Sequence, residues 1–228
     1  MRILISGASI AGPVLAYWLT RYGFDVTVVE RAPTLRKTGG HAVDLFRPAM
    51  EISTKMGVLP RIEARATGTE RLTMYREGRT KPIEVDLTKI YAATSDSHVE
   101  IMRDDLSEIY YDAAHDDVEY VFGDSITAIE HDGTVTFERS QARTFDVVVG
   151  ADGLHSNVRR LAFGQQSEYE RFLGYQVAAF ETCGYQPRDE DVYVMYTKVG
   201  RQVSRFSMGG DRTLFLFIFR SRSEERRV

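Results

Sequence analysis

The chain has 228 residues, 43% of them hydrophobic, enough for one substantial core or for one domain and part of another. Its 29 Lys and Arg against 33 Asp and Glu leave a net charge of −4, which argues against general nucleic-acid binding. One cysteine excludes an intramolecular disulfide and a zinc cluster, the five histidines show no metal spacing, and no apolar run reaches membrane-span length, so a cytoplasmic protein is expected.

The first thirty residues carry the strongest signal. Residues 2–6 read as a short buried strand. A tight turn follows, Gly7-Ala8-Ser9-Ile10-Ala11-Gly12, then an apolar helix over about 10–22 and a second strand, 26–29, ending on Glu30. This is the strand–turn–helix–strand–acid order of a dinucleotide-binding unit. Gly7 permits the sharp turn, and Gly12 lets helix and strand pack closely. The helix N-terminus presents N–H groups and partial positive charge to a pyrophosphate. Glu30 stands where a carboxylate accepts from ribose hydroxyls. The middle glycine of G-x-G-x-x-G is Ser9 here, whose hydroxyl can bond a phosphate or hold it slightly farther out. A secretory leader is the competing reading. One basic residue, the Gly12-Pro13 break and the lack of a small-x-small site before Thr20 argue against it.

Residues 31–44 read as a polar, Gly-containing connection, followed by a helix over about 48–56 that Gly57 stops. Residues 70–86 have the alternation of a hairpin turning at Glu77-Gly78. A short strand at 99–102 precedes a helix at 104–114, with Leu106, Ile109, Tyr110, Ala113 and Ala114 at 3.6-residue spacing. Strands are expected at 118–122, 125–129 and 134–138, the last two joined by the turn His131-Asp132-Gly133. Residues 145–149 look like the most buried strand of the chain. From about Tyr169 the pattern becomes long aromatic strands at 175–182, 192–196, 203–208 and 213–219. The expected fold is α/β. A Rossmann-like domain spans 1–164, its hairpin 70–86 contributing to the substrate side. An incomplete, sheet-rich substrate domain follows at 165–220, and a charged tail at 221–228.

A second motif follows strand 145–149: Asp152-Gly153-Leu154-His155-Ser156-Asn157-Val158-Arg159. An aspartate at the C-terminal end of a parallel strand can hold ribityl or ribose hydroxyls, and Gly153 admits close backbone approach. The alternative is a strand followed by an Asx-type turn and helix cap. Here the chain resembles the single-component flavoprotein aromatic monooxygenases, the p-hydroxybenzoate hydroxylase-like family, which carry D-G-x-x-S-x-x-R at this place. Arg103, between a short strand and a helix, matches the family's arginine near the flavin ribityl and pyrophosphate. Its alternative is a solvated arginine paired with Asp104 or Asp105. Gly39-Gly40-His41-Ala42-Val43-Asp44-Leu45 is similar to the family's loop beside the isoalloxazine. It looks especially like the tetracycline-inactivating branch and related actinobacterial oxygenases.

The resemblance implies FAD as cofactor, NAD(P)H as co-substrate, and transfer of one O₂-derived oxygen to an aromatic or polycyclic small molecule. It implies FAD contacts from Gly7, Ser9, Ala11, Gly12, Glu30, Arg31, Gly40, Arg103, Asp152, Gly153 and Ser156. No protein acid or base is assigned. Asp44 and the aromatic sheet, Tyr175, Phe180, Tyr193, Tyr196, Phe206 and Met208, would line the substrate space, although such aromatics more often form core. The family's later glycine–aspartate motif has no match, so the chain reads as the N-terminal part of a longer protein. It would then leave sheet surface near Leu214, Leu216 and Ile218 uncovered and prone to self-association. Two other readings stay open, an FAD-dependent reductase or dehydrogenase and a non-catalytic flavoprotein remnant.

Overall fold

The computed structural model describes residues 1–35, 41–94, 98–185, 192–208 and 211–221. In chain order the elements are β1 (Arg2–Ser6), α1 (Ala11–Arg21), β2 (Asp25–Glu30), β3 (Ala42–Phe46), α2 (Arg47–Lys55), α3 (Leu59–Glu63), β4 (Arg71–Arg76) and β5 (Ile83–Asp86). Then come α4 (Leu87–Thr94), β6 (His98–Met102), α5 (Arg103–Asp112), β7 (Glu119–Phe122), β8 (Ile126–Ile129), β9 (Thr134–Phe137), β10 (Arg143–Thr144) and β11 (Val147–Gly150). The last are α6 (Asn157–Ala162), β12 (Tyr175–Cys183), β13 (Val192–Lys198), β14 (Arg201–Ser207) and β15 (Arg212–Arg220). The chain divides into two compact units, Met1–Thr38 with Asp104–Arg171, and Gly39–Arg103 with Phe172–Val228. The sequence boundary at 164/165 therefore needs correcting for the whole insert 39–103, of which only the hairpin was expected to join the later strands.

The first unit is built on a parallel sheet in the order β11-β1-β2-β7. Ser6 is in register with Val29 on one side and Gly150 on the other, so the carboxyl ends of β1, β2 and β11 lie side by side. Leu4 and Val29 pack with Ile126, Val135, Phe137, Phe145 and Val158 in one buried cluster, which joins the sheet to β8, β9 and α6. A second tie is polar. Arg143 makes a two-pronged bond to Glu119 at 3.0 and 2.8 Å, and Thr27 donates to the same carboxylate at 2.9 Å. The Arg143 fork holds Glu119 below the usual carboxylate range.

The expectation that 145–149 is the most buried strand is corrected. β11 is the edge of its sheet, and Val147 is 38% exposed. Phe145, just before it, is the residue that reaches the core. An apolar run reads alike at the centre and at the edge of a sheet, because pairing partners are remote in sequence.

Asp124 shows how a buried charge is accommodated here. It is 2% exposed and accepts backbone N–H bonds from Ser125, Arg139 and Ser140 at 2.8, 3.0 and 2.8 Å. Burial alone would raise its pKa, but the bonds from Ser140, Ser125 and Arg139 outweigh it and hold the carboxyl below 3.8. The stability it contributes is therefore complete above 3.8 and is lost as pH falls through the lower, folded value. Asp124→Asn turns one acceptor toward a backbone N–H as a donor. Urea unfolding at neutral pH should show a loss of about 1.5 kcal/mol, with a flatter acid limb than the parent protein. An unchanged midpoint would remove this role.

The second unit holds a six-stranded sheet in the order β12-β15-β14-β13-β4-β5, and a two-stranded antiparallel sheet of β3 and β6. All pairs in the larger sheet are antiparallel except β13 with β4, which run parallel. Hairpin 70–86 thus joins the later aromatic strands. Met102, Phe206 and Leu214 form a buried cluster with Ala42, Tyr193 and Met208 against it. Leu214 is 1% exposed, so the expectation of uncovered surface at Leu214 is corrected. Strand β3, helices α3 and α4 were not foreseen, and β3 begins inside the segment read as a loop. Its alternation is short and interrupted by Asp44, so its only firm signal is its partner β6.

Candidate cofactor site

The glycine turn is set by two close approaches. Gly7 has φ +109°, and a Cβ there would stand 2.5 Å from the Ala151 carbonyl oxygen. A Cβ on Gly12 would stand 1.9 Å from the Gly7 carbonyl oxygen. The first glycine therefore admits the segment after β11, and the last one admits α1 against the turn. The backbone N–H of Ala151 donates to Ser6 at 2.7 Å and fixes the same junction. In this way the two motifs, far apart in sequence, share one edge of the parallel sheet.

Helix α1 opens on that edge with no side-chain cap at Ile10 and no acidic residue in its first turn. Its positive end is thus not neutralised by its own side chains. Ala11 is its first residue and is exposed, whereas Gly12 is buried. The Ser9 carbonyl accepts from Ser107 Oγ at 3.1 Å, which ties α5 to the turn. Sequence reasoning missed Ser107, since nothing local marks a helix serine as a partner for a loop carbonyl.

Glu30 ends β2. One carboxylate oxygen accepts from Ala8 N–H at 2.9 Å and the other from Ala32 N–H at 2.8 Å. It braces the glycine turn against the chain leaving β2. Two carboxylate oxygens offer about four acceptor positions, so capacity remains for sugar hydroxyls. Arg31, next in the chain, is exposed.

The D-G-x-x-S-x-x-R segment forms a self-bonded turn and cap. Asp152 accepts from Ser156 Oγ and from Val158 N–H, both at 2.9 Å. Ser156 Oγ accepts from Arg159 N–H at 3.1 Å and caps α6. Arg159 donates to the Leu154 carbonyl at 2.7 Å. The capping alternative is thus present in the fold. It leaves a ligand role open, because these two bonds to Asp152 fall on one of its two oxygens. Gly153 has φ +78° and nothing within 4 Å of the Cβ position, so its glycine answers to conformation and faces open space.

In the second unit, Arg103 is the first residue of α5 and is exposed, and its N–H donates to the His41 carbonyl at 3.2 Å. Asp104 and Asp105 follow in the first turn. Gly40 lies outside the described residues. Asp44 stands on β3 opposite Glu100 of β6, and its Oδ1 is 2.8 Å from His98 Nε2. The Tyr91 ring stacks on His98 at 3.6 Å. Burial, then the charges of Asp44 and Glu100, push the Tyr91 hydroxyl up to about 12, so it stays a proton donor beside the carboxylates.

The six-stranded sheet sorts the aromatic residues by face. Tyr193, Phe206 and Met208 belong to the buried cluster with Met102, and Tyr175 is 52% exposed on the edge strand β12. Phe180 is on the other face, stacked on Phe215 and Phe217 at 5.4 and 5.6 Å. That face carries a groove of ≈ 460 Å³ lined by Tyr196, Val203, Phe217 and Phe219 among others. The signal for it was the spacing of Phe215, Phe217 and Phe219. Alternate residues of a strand share a face, but Leu214–Phe219 reads first as a continuous apolar run.

The whole chain, residues 1–228, matches the family model described as FAD binding domain. The chain belongs to the FAD-binding domain family. Flavin-dependent monooxygenases are among its relatives. One from Legionella longbeachae is 34% identical over 189 residues, covering 81% of this chain and 48% of that protein. An uncharacterized protein of Mycobacterium tuberculosis is 43% identical over 191 residues, covering 82% of this chain and 51% of it. The solved structure of tetracycline destructase Tet(51) superposes with a TM-score of 0.78 at 29% identity, covering 100% of this chain and 59% of that one. The chain thus spans about half the length of the curated relatives it matches.

FAD is the cofactor this family binds, and the residues present fit it. An uncapped helix end suits the pyrophosphate, a carboxylate with spare acceptor capacity suits the ribose, and open space at Gly153 admits close approach. Among the described residues no group of His, Cys, Asp and Glu could hold a metal, and no helix is long and apolar enough to cross a membrane.

Proposed function

We propose that this chain forms the FAD-binding and substrate-facing part of a cytoplasmic flavin-dependent monooxygenase, which uses NAD(P)H and O₂ to place one oxygen atom on an aromatic or polycyclic small molecule. The observation that carries the reading is the junction of Gly7 with Ala151, which puts the glycine turn and the Asp152 segment on one strand-end edge. Open α/β sheets hold ligands at such edges.

In this reading Gly7, Ser9, Ala11 and Gly12 receive the pyrophosphate, while Glu30 and Arg31 hold the adenosine end. Asp152, Gly153 and Ser156 hold the ribityl chain; Arg103, in the second unit, and Gly40, outside the described residues, are kept as cofactor contacts that the family resemblance implies. Bound FAD, reduced by NAD(P)H, supplies the oxygen-activating chemistry. The protein binds, orients and keeps water away. Asp44, held by His98 and Tyr91, fixes the strand that follows the Gly40 loop. Substrate rests on the face of the six-stranded sheet that carries Tyr193, Phe206 and Met208, against which Ala42 and Met102 pack.

Titrating the purified protein with FAD should quench flavin fluorescence to saturation. NAD(P)H-dependent O₂ uptake should then rise when an aromatic substrate is added. FAD binding with NAD(P)H oxidation that ignores every aromatic compound would favour a reductase. Absence of any FAD binding would leave only a remnant.

A further inference from the structure

We infer that β12, an edge of the six-stranded sheet, pairs antiparallel with β12 of a second copy of this chain, about a two-fold axis at Ala179. This pairing does not depend on the flavin reading. Among the described residues β12 pairs with β15 alone. The ends of that ladder show which backbone groups it uses. The Gly174 carbonyl accepts from Ser221 N–H at 3.0 Å, and Gly184 N–H donates to the Asp211 carbonyl at 3.2 Å. Both contacts continue the register in which Ala178 faces Phe217. Bonded pairs alternate along an antiparallel ladder, so the even-numbered residues of β12 bond β15. Tyr175, Val177, Ala179, Glu181 and Cys183 turn their N–H and C=O groups to the open side.

Such an edge is a template for another strand, and proteins usually blunt it with short length, lysine, proline or a bulge. β12 has none of these. It runs for 9 residues without lysine or proline, and its ladder to β15 has no register break. Tyr175, Val177 and Phe180 are 52%, 64% and 52% exposed. The other edge of the same sheet is built differently. β5 has 4 residues, among them Glu84 and Asp86, and follows Pro82.

The strand is also complementary to itself. An antiparallel copy centred on Ala179 overlaps all 9 residues. It sets Ala178 opposite Phe180 of the second copy. The Phe180 ring stacks on Phe215 and Phe217 at 5.4 and 5.6 Å, and a small alanine opposite leaves it that place. The single charge of β12, Glu181, meets Val177 and not its own copy, and Arg212 pairs with it at 3.4 Å. The outward-facing residues form bonded pairs of two bonds each, about ten in all, which is the number a stable interface typically carries. A two-fold contact uses the same patch on both copies, so it closes at a dimer.

Sedimentation velocity of the purified 228-residue protein over a dilution series should show a reversible monomer–dimer equilibrium. Ala179 is exposed and would oppose itself across the axis, so its variants test the register as well as the edge. Ala179→Lys and Ala179→Glu should each weaken dimerisation by at least about tenfold, because like charges then meet face to face. An equal mixture of the two should restore the dimer. Ala179→Pro should also be monomeric, since it removes an outward N–H and leaves the bonds to β15 in place. Far-UV circular dichroism checks that each variant is folded, and the proline variant decides the matter if the charged ones are not. A monomeric parent, a dimer that survives in every folded variant, a mixture that stays monomeric, or growth beyond a dimer overturns the inference.

Discussion

Replacing Gly12 by alanine is expected to unfold much of the first unit and to abolish FAD binding. The added Cβ would stand 1.9 Å from the Gly7 carbonyl oxygen and 3.1 Å from its carbon, and both are backbone atoms. Neither can rotate away, so α1 must lift off the turn. Overpacking usually costs about 1–3 kcal/mol and occasionally more. Because a backbone contact cannot relax by a rotamer change, Gly12→Ala is placed at about 3 kcal/mol or above. The control is Gly23→Asn. Gly23 has φ +80° with nothing within 4 Å of its Cβ position, so the loss there should be only about 1 kcal/mol. Urea unfolding of the two variants measures the contrast. Equal losses would mean that conformational freedom, and not close approach, is what glycine provides at position 12.

Glu30→Ala is expected to lower FAD affinity by about tenfold to a hundredfold, the equivalent of about 1.5–3 kcal/mol for bonds to a charged group. Two effects would combine. The carboxylate braces Ala8 and Ala32 at 2.9 and 2.8 Å, so its loss loosens the turn. In the proposed reading it also accepts from the adenosine ribose. Titration with ADP and with FMN separates them, since FMN lacks the adenosine. A loss seen with FAD and ADP but not FMN assigns the ribose. A loss shared by FMN assigns the brace alone. Unchanged FAD affinity would show that Glu30 does neither.

The local parts of this molecule were legible because local forces make them. β1, the turn, α1 and β2 follow from an apolar strand, two glycines, a 3.6-residue pattern and a second apolar strand ending on Glu30. The hairpin turns at Gly78 and Gly133 use φ of +74° and +84°, which glycine adopts without penalty. Gly57, at φ +74°, ends α2 for the same reason. The D-G-x-x-S-x-x-R run was also legible, and its capping bonds are short-range.

What only the tertiary structure decided depends on pairing between remote strands. β11 reads as buried in sequence, yet it is an edge, because among the described residues it pairs in the sheet with β1 alone. β4 joins β13 in parallel, so the hairpin and the later strands make one sheet. Asp124 carries no local sign that the backbone after β9 will wrap its carboxylate. Phe206 and Phe217 look alike in sequence, and pairing sends one to the buried cluster and the other to the groove. Side chains alternate along a strand whatever its neighbours are, but which face meets a second layer is set by the chain that packs there. That is a long-range choice, and it separates the buried cluster from the grooved face in this protein.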